Sequence, residues 1–302
     1  MTHGRAVLTM LAVTLMWSIA GVVSRHLDAA RSFEVTFWRS AFNALALVIL
    51  LAWLRGPGPL WRSLRDGGRS LWISGACWCV MFTAFMLAIT LTTVANVLVT
   101  MAVGPLFTAL AARVALGHRL AARTWLTIVV AGAGIAWMYG QEVSGSDPRH
   151  LLGTAVALAV PIAAAVNWTL LQHIHRSGEA TGDMLPAVLV GAVMSALITL
   201  PLSVPFSASG HDLALLALLG SVQLAIPCLL AMTVARYLSA PEVSLLALLE
   251  VIFGVAWAWL GAGEAPSSAV VSGGLLVLGA LAANEAAAMR QVGGPSKRCT
   301  GR

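Results

Sequence analysis

The sequence predicts an all-α integral membrane protein, ten transmembrane helices built as two inverted five-helix repeats. Three observations carry this. Hydrophobic residues make up 59% of the 302 and charged ones 10%, with a mean hydropathy of +0.87, against roughly 25% charged in an ordinary soluble protein. Long stretches carry no Asp, Glu, Lys or Arg: Leu71 to Ala112 runs 42 residues without one, enough for two helices of ~20 residues across a ~30 Å core. Finally, landmarks recur. Trp17-Ser18 with Arg25 in the first segment is answered by Trp168-Thr169 with Arg176 in the sixth, 151 residues on. Gly117-His118 after the fourth segment is answered by Gly263-Glu264 after the ninth, 146 residues on, and that register pairs Phe107 with Phe253. Five spans per half turn the second half upside down relative to the first.

The elements follow in order. Helices are expected at 6–24, 34–54, 70–91, 94–116, 122–140, 151–174, 183–204, 211–236, 241–261 and 267–290. Thr92, Thr93 and Asn96 mark the turn between the third and fourth, and further uncharged runs cover Leu151–His175, Met184–His211 and Leu213–Ala235. Strand-sized alternation is absent, so a helical bundle rather than a barrel satisfies the backbone across the bilayer. The repeats are expected at 1–145 and 146–290, joined through Gln141–His150, with 291–302 a disordered cytoplasmic tail. Arg55 to Arg69, rich in Gly, Pro and Arg, reads as the longest other loop. Small residues in helices five and ten (Gly132-Ala133-Gly134; Gly273-Gly274 to Gly279-Ala280) suit close helix contact. Pro105, Pro161 and Pro227 are the candidate kink and gating positions.

The net charge of +6 is topological. With the N-terminus inside, 14 of the 18 basic residues fall on the cytoplasmic side, as the positive-inside rule requires. Both termini are thereby placed in the cytoplasm and the protein in the cytoplasmic (inner or plasma) membrane, and nucleic acid is not an expected partner. Cys77 and Cys79 lie two apart on one helix and point away from each other, so with Cys228 they read as small buried hydrophobes. Ser18-Ile19-Ala20 resembles a cleavage site, but the counterpart of this segment in the sixth argues that it is retained.

At these residues the chain resembles the drug/metabolite transporter superfamily, as a protein with two EamA-type repeats over residues 6–290. The likeness rests on the helix count, the Trp-[Ser/Thr]-x6-Arg element in helices one and six, Arg39 early in helix two, Gly104-Pro105 in helix four, and Leu249-Glu250 with Gly263-Glu264 around helix nine. Val251 stands where the family usually has Pro, which makes helix nine less easily kinked; His118 stands where it usually has Glu. The resemblance implies a secondary transporter that exports or takes up small polar metabolites such as amino acids or related compounds, export being the expected direction, with protons as coupling ion and no cofactor. The oligomeric state implied is monomer or homodimer.

Glu250 is the only charge between Val243 and Gly263. Counted from Val243 it lies seven residues in, ~10 Å at 1.5 Å per residue. An ionised carboxylate at that depth is costly, so such residues line a pathway; Glu250 is a candidate proton carrier or counter-charge for an amine. The alternative is a protonated glutamate tying two helices together. Arg39, ~7 Å below the outer boundary, could bind a substrate carboxylate through two parallel hydrogen bonds, clamp backbone carbonyls, or meet Glu34. The two are separated by roughly 13 Å in depth, which disfavours a direct pair and favours an amino-acid-sized ligand between them.

Trp17 and Trp168 occupy equivalent mid-helix positions, with Trp78 in helix three; each can pack or stack on a ligand. Asn167 adjoins Trp168 and is the amide expected nearest the pathway. Asn96 and Gln223 are the other two, Gln223 also a candidate for carbonyls freed at Pro227. His173 and His175 point ~200° apart on a helix, which disfavours a shared metal. Glu285 with Asn284 is expected to face water or pair with Arg290. No Gly-x-Ser-x-Gly, His-Glu-x-x-His or paired-aspartate arrangement occurs, so an intramembrane enzyme is disfavoured. A non-transporting receptor or assembly subunit is the remaining alternative, and a solidly packed interior would mark it.

Overall fold

A backbone that crosses hydrocarbon must satisfy its own polar groups, and this chain does so with helices. The computed structural model describes residues 1–30, 32–116, 148–177, 183–238 and 240–292, with 122, 125–127, 129–130, 132–134 and 137 between them. Gly117-His118, Gln141–Asp147 and the tail from residue 293 lie outside the described residues, as do the side chains of His175, Arg176, Asn284 and Glu285. Among the described residues, seven helices are long and apolar enough to cross a membrane, and shorter apolar helices lie at Trp125–Gly134, Leu246–Ala262 and Ser268–Ala280.

The elements are α1 (His3–Ser24), α2 (Ser32–Arg55), α3 (Pro57–Asp66), α4 (Arg69–Leu91), α5 (Val94–Met101), α6 (Gly104–Leu116), α7 (Pro148–Ala157), α8 (Ala159–Ser177), α9 (Pro186–Ser203), α10 (Gly210–Leu218), α11 (Ile226–Val234), α12 (Ala240–Ala262) and α13 (Ser268–Val292). Their ends fall within a few residues of the expected segments. Arg55 to Arg69 is a correction: it holds the short helix α3, not only loop. Gly56 at φ 83° turns the chain into it, Pro57 starts it, and Leu60 packs into the core while Trp61 stays exposed.

Three spans are broken, and proline explains where. A proline at position i cannot bond the carbonyl at i−4. Pro105 orphans Met101, where α5 ends, and Pro161 orphans Ala157, where α7 ends. Pro227 follows a π-helical turn, Leu219–Ala225, between α10 and α11. Lacking such a proline, α12 runs unbroken past Val251, as its sequence predicts.

Close approaches use glycine. A Cβ on Gly191 of α9 would stand 2.3 Å from the Trp78 Cβ of α4 and 2.8 Å from the Gly75 carbonyl. A Cβ on Gly220 in the π turn would stand 2.5 Å from the Arg39 carbonyl of α2. Gly134 meets the Gly273 carbonyl, at 3.1 Å from its built Cβ, and Gly274 approaches Val99 of α5, whereas Gly132 and Gly279, also expected at close contacts, meet nothing within 4 Å. Helix packing follows these seams: α9 lies against α2 and α4, α1 against α11 and α12, and α8 against α4 and α6.

The two ends of the bundle are held differently. At one end, Asp183 pairs with Arg55 and Arg236, each at 3.3 Å. At the other, carboxylates cap backbone N–H groups. Asp212 accepts from Asp28 (2.7 Å), Ala29 (3.0 Å), Ala30 (3.1 Å) and Ser209 (3.1 Å). Glu34 accepts from the amides of Ser207 (2.8 Å) and Ala208 (2.7 Å) and from the Ser207 hydroxyl (2.8 Å).

Candidate functional site

The broken helices and their partners surround a central cavity with about 140 Å³ of accessible interior space. Its walls are almost wholly apolar. The face of α4 supplies Trp78, Phe82 and Phe85 at i, i+4 and i+7, one side of a helix, with Met81 beside them. Trp17 comes from α1 and Trp168 from α8. Trp168 meets Trp78 edge-on, ring centroids 6.0 Å apart at 88°, and Trp78 lies 5.4 Å from Phe82. The Trp78 indole N–H has no hydrogen-bond partner among the described residues.

Against this apolar wall the polar groups are few: Arg39, Gln223, Glu250, Thr108 and Cys228. Arg39 is 2% exposed. Its Nη2 donates to Gln223 Oε1 at 3.1 Å, and its guanidinium lies over the Phe85 ring, 5.6 Å from the centroid, a cation–π contact. Gln223 in turn donates from Nε2 to the Trp17 carbonyl at 3.0 Å. The amide therefore links α2 to α1 through the π turn, rather than bonding carbonyls freed within its own helix. Arg39 does not meet Glu34, whose carboxylate is occupied by Ser207 and Ala208.

Glu250 also lines the cavity. It is half-buried and forms no ion pair or hydrogen bond with the described residues. Because α12 begins at Ala240, Glu250 lies ten residues in, about 15 Å from that end, deeper than the ~10 Å counted from Val243. An acid and a base thus share one cavity without touching.

Of the residues singled out from sequence, Trp17, Arg39, Trp78, Trp168, Gln223, Glu250, Pro105 and Pro161 line the cavity. Pro227 does not, and it lies next to Cys228, which does. Asn167 and Asn96 lie outside the lining. Asn167 is fully buried and accepts from the Ser74 hydroxyl at 2.6 Å. Asn96 donates to Thr92 (3.1 Å) and Thr154 (2.7 Å), tying α5 to α7. Sequence reasoning missed Phe82 and Phe85, although their helical spacing from Trp78 was there to read. Cys77, Cys79 and Cys228 are free and buried, and no cluster of metal-ligating side chains occurs among the described residues.

Comparison with known proteins adds to this geometry. Residues 4–140 match the model of the EamA-like transporter family. A relative named S-adenosylmethionine uptake transporter, from Rickettsia prowazekii (strain Madrid E), is 26% identical over 212 residues. That match covers 68% of this chain and 66% of the relative, so the chain spans about two thirds of its length. A solved crystal structure superposes with a TM-score of 0.64 at 19% identity, over 96% of this chain and 100% of the other. That likeness establishes the fold.

Proposed function

Because this chain belongs, through residues 4–140, to the EamA-like transporter family of the drug/metabolite transporter superfamily, we propose that it is a proton-coupled secondary transporter of amino acids or close relatives, working by alternating access. It is a membrane transporter and not an enzyme. One observation carries the finer reading: Arg39 and Glu250 line a single aromatic cavity and do not pair. A zwitterion laid between them would offer its carboxylate to Arg39 and its ammonium to Glu250. An apolar pocket with a few placed polar groups is the usual build of a small-molecule site.

S-adenosylmethionine, the substrate named for the relative, is a member of this class. It joins an amino-acid end to a sulfonium cation and an aromatic base, and cations and bases both suit aromatic faces. The superfamily resemblance allows export or uptake, with export the expected direction, and the relative is named for uptake; flux under a gradient of either sign assigns it.

Alternating access needs two halves that rock, and the proposed repeats are 1–145 and 146–290. Packing supports the relation. The seam of α4 with α9 is matched by that of the π turn with α2, and Gly75 in the first seam stands 145 residues before Gly220 in the second. Both termini are assigned to the cytoplasm of a cytoplasmic-membrane protein, from the arginine distribution. Protonation of Glu250 from one side, with release of substrate, would then permit the rocking step; states within a few kcal/mol suffice. A receptor or assembly subunit is disfavoured by the open interior.

The test is flux into proteoliposomes of a labelled panel, the amino acids and S-adenosylmethionine, under an imposed pH gradient of either sign. Saturable, gradient-dependent flux of at least one member is expected. No flux above protein-free liposomes for any member, at either sign, would overturn the reading.

A further inference from the structure

At the end of the bundle where α1 finishes, a single ion pair stitches three segments of chain. Arg25 Nε donates to Glu264 Oε2 at 2.7 Å, and Arg25 Nη2 donates to the Thr92 carbonyl at 2.9 Å. The other Glu264 oxygen accepts the Val94 amide at 2.6 Å, at the first residue of α5. The stitch therefore joins the end of α1, the start of α5 and the chain after α12. Those three helices carry Trp17, Leu98 and Glu250 into the cavity. Leu98 is only four residues below Val94, ~6 Å along the helix.

Two other acids at this end are built to stay. Glu34 and Asp212 are both 0% exposed, and backbone amides fill their carboxylates. The arrangement is reciprocal: Glu34 of α2 holds the chain before α10, and Asp212 of α10 holds the chain before α2. Parting either would strand a buried carboxylate, which is strongly unfavourable. Arg25 and Glu264 differ in kind, with side chains 30% and 17% exposed. Water can take over their bonds as they separate, so this pair can open and reclose. The Asp212 clamp begins at Asp28, three residues after Arg25, so α1 ends on a fixed point beside a breakable one.

We propose that Arg25 and Glu264 form a gate over the cavity, opening as α1, α5 and α12 part, and that the Glu34 and Asp212 cradles are the hinge. The inference rests on the cavity being a passage, as the carrier reading has it, but its test needs no substrate. The four native cysteines would be replaced by alanine and one reporter placed in the cavity wall as Ala164→Cys. A membrane-impermeant maleimide is then applied to right-side-out and to inside-out vesicles. Glu264→Ala and Arg25→Ala should each raise the labelling rate about tenfold from the face at which Arg25 lies, and leave the other face unchanged. Asp212→Asn should lower thermal stability without raising that rate.

Elution profile and melting curve identify folded variants, and Glu264→Gln, which keeps the shape and removes the charge, serves should Glu264→Ala not fold. A folded variant labelled at the parent rate from both faces would overturn the gate. Asp212→Asn labelling as fast as Glu264→Ala would overturn the hinge. Failure of the flux panel alone would count against the carrier reading and leave the labelling result standing.

Discussion

Arg39 and Glu250 line the same cavity and do not pair. Arg39 is held instead by Gln223 at 3.1 Å and by the face of Phe85. An ion pair in contact would cancel both charges and leave an apolar slot. Held apart, they leave a dipolar one, which is what a zwitterion fits.

Replacing Arg39 separates binding from folding. Arg39→Met leaves Gln223 Oε1 without its partner, a loss of about 1–3 kcal/mol, but it also removes a desolvated cation from the interior, which offsets that loss. Stability is expected to change by no more than about 2 kcal/mol, while affinity for carboxylate-bearing substrates falls at least tenfold. Thermal unfolding in detergent beside a binding titration checks both; a variant that melts early and binds normally would make Arg39 structural.

Glycine contacts predict a contrast between two substitutions of the same kind. Gly191→Ala would place a methyl 2.3 Å from the Trp78 Cβ and 2.9 Å from the Cys79 amide. Backbone must move, and a loss of about 1–3 kcal/mol is expected. Gly279→Ala meets nothing within 4 Å and should gain up to about 1 kcal/mol from helix propensity. Melting temperatures of the two variants should move in opposite directions.

Asp212→Asn tests the cradle at the start of α10. The carboxylate accepts four backbone amides, and an amide side chain supplies one neutral acceptor in their place. A loss of about 2–3 kcal/mol is expected, in the range of hydrogen bonds to charged groups. Hydrogen exchange should show residues 28–30 losing protection; unchanged exchange there would contradict the assignment.

Much of the fold was legible because lipid leaves few options. Uncharged runs such as Leu71–Ala112 admit only helices, and Thr93 caps α5 where the turn was read, accepting from the Asn96 amide. The helix α3 was hidden by Pro57, Pro59 and the four glycines Gly56, Gly58, Gly67 and Gly68, which read as loop although Pro57 starts the helix. The site was legible in part. Glu250 and Arg39 announced themselves as charges in hydrocarbon, and Trp17 with Trp168 as a repeated pair. Asn96 and Asn167 look the same in sequence as a pathway amide would. Which way a buried amide points depends on neighbours such as Thr154 and Ser74, which lie far off in the chain. Arg25 and Glu264 stood out as landmarks, but 239 residues separate them and nothing local pairs them.

Glu250 is proposed to carry the coupling proton, and flux driven by a pH gradient in proteoliposomes, with the parent protein beside Glu250→Gln, decides whether it does. Gradient-driven flux is expected in the parent and its loss in the variant, with elution and melting curves unchanged. Undiminished gradient-driven flux in a folded Glu250→Gln variant would contradict it.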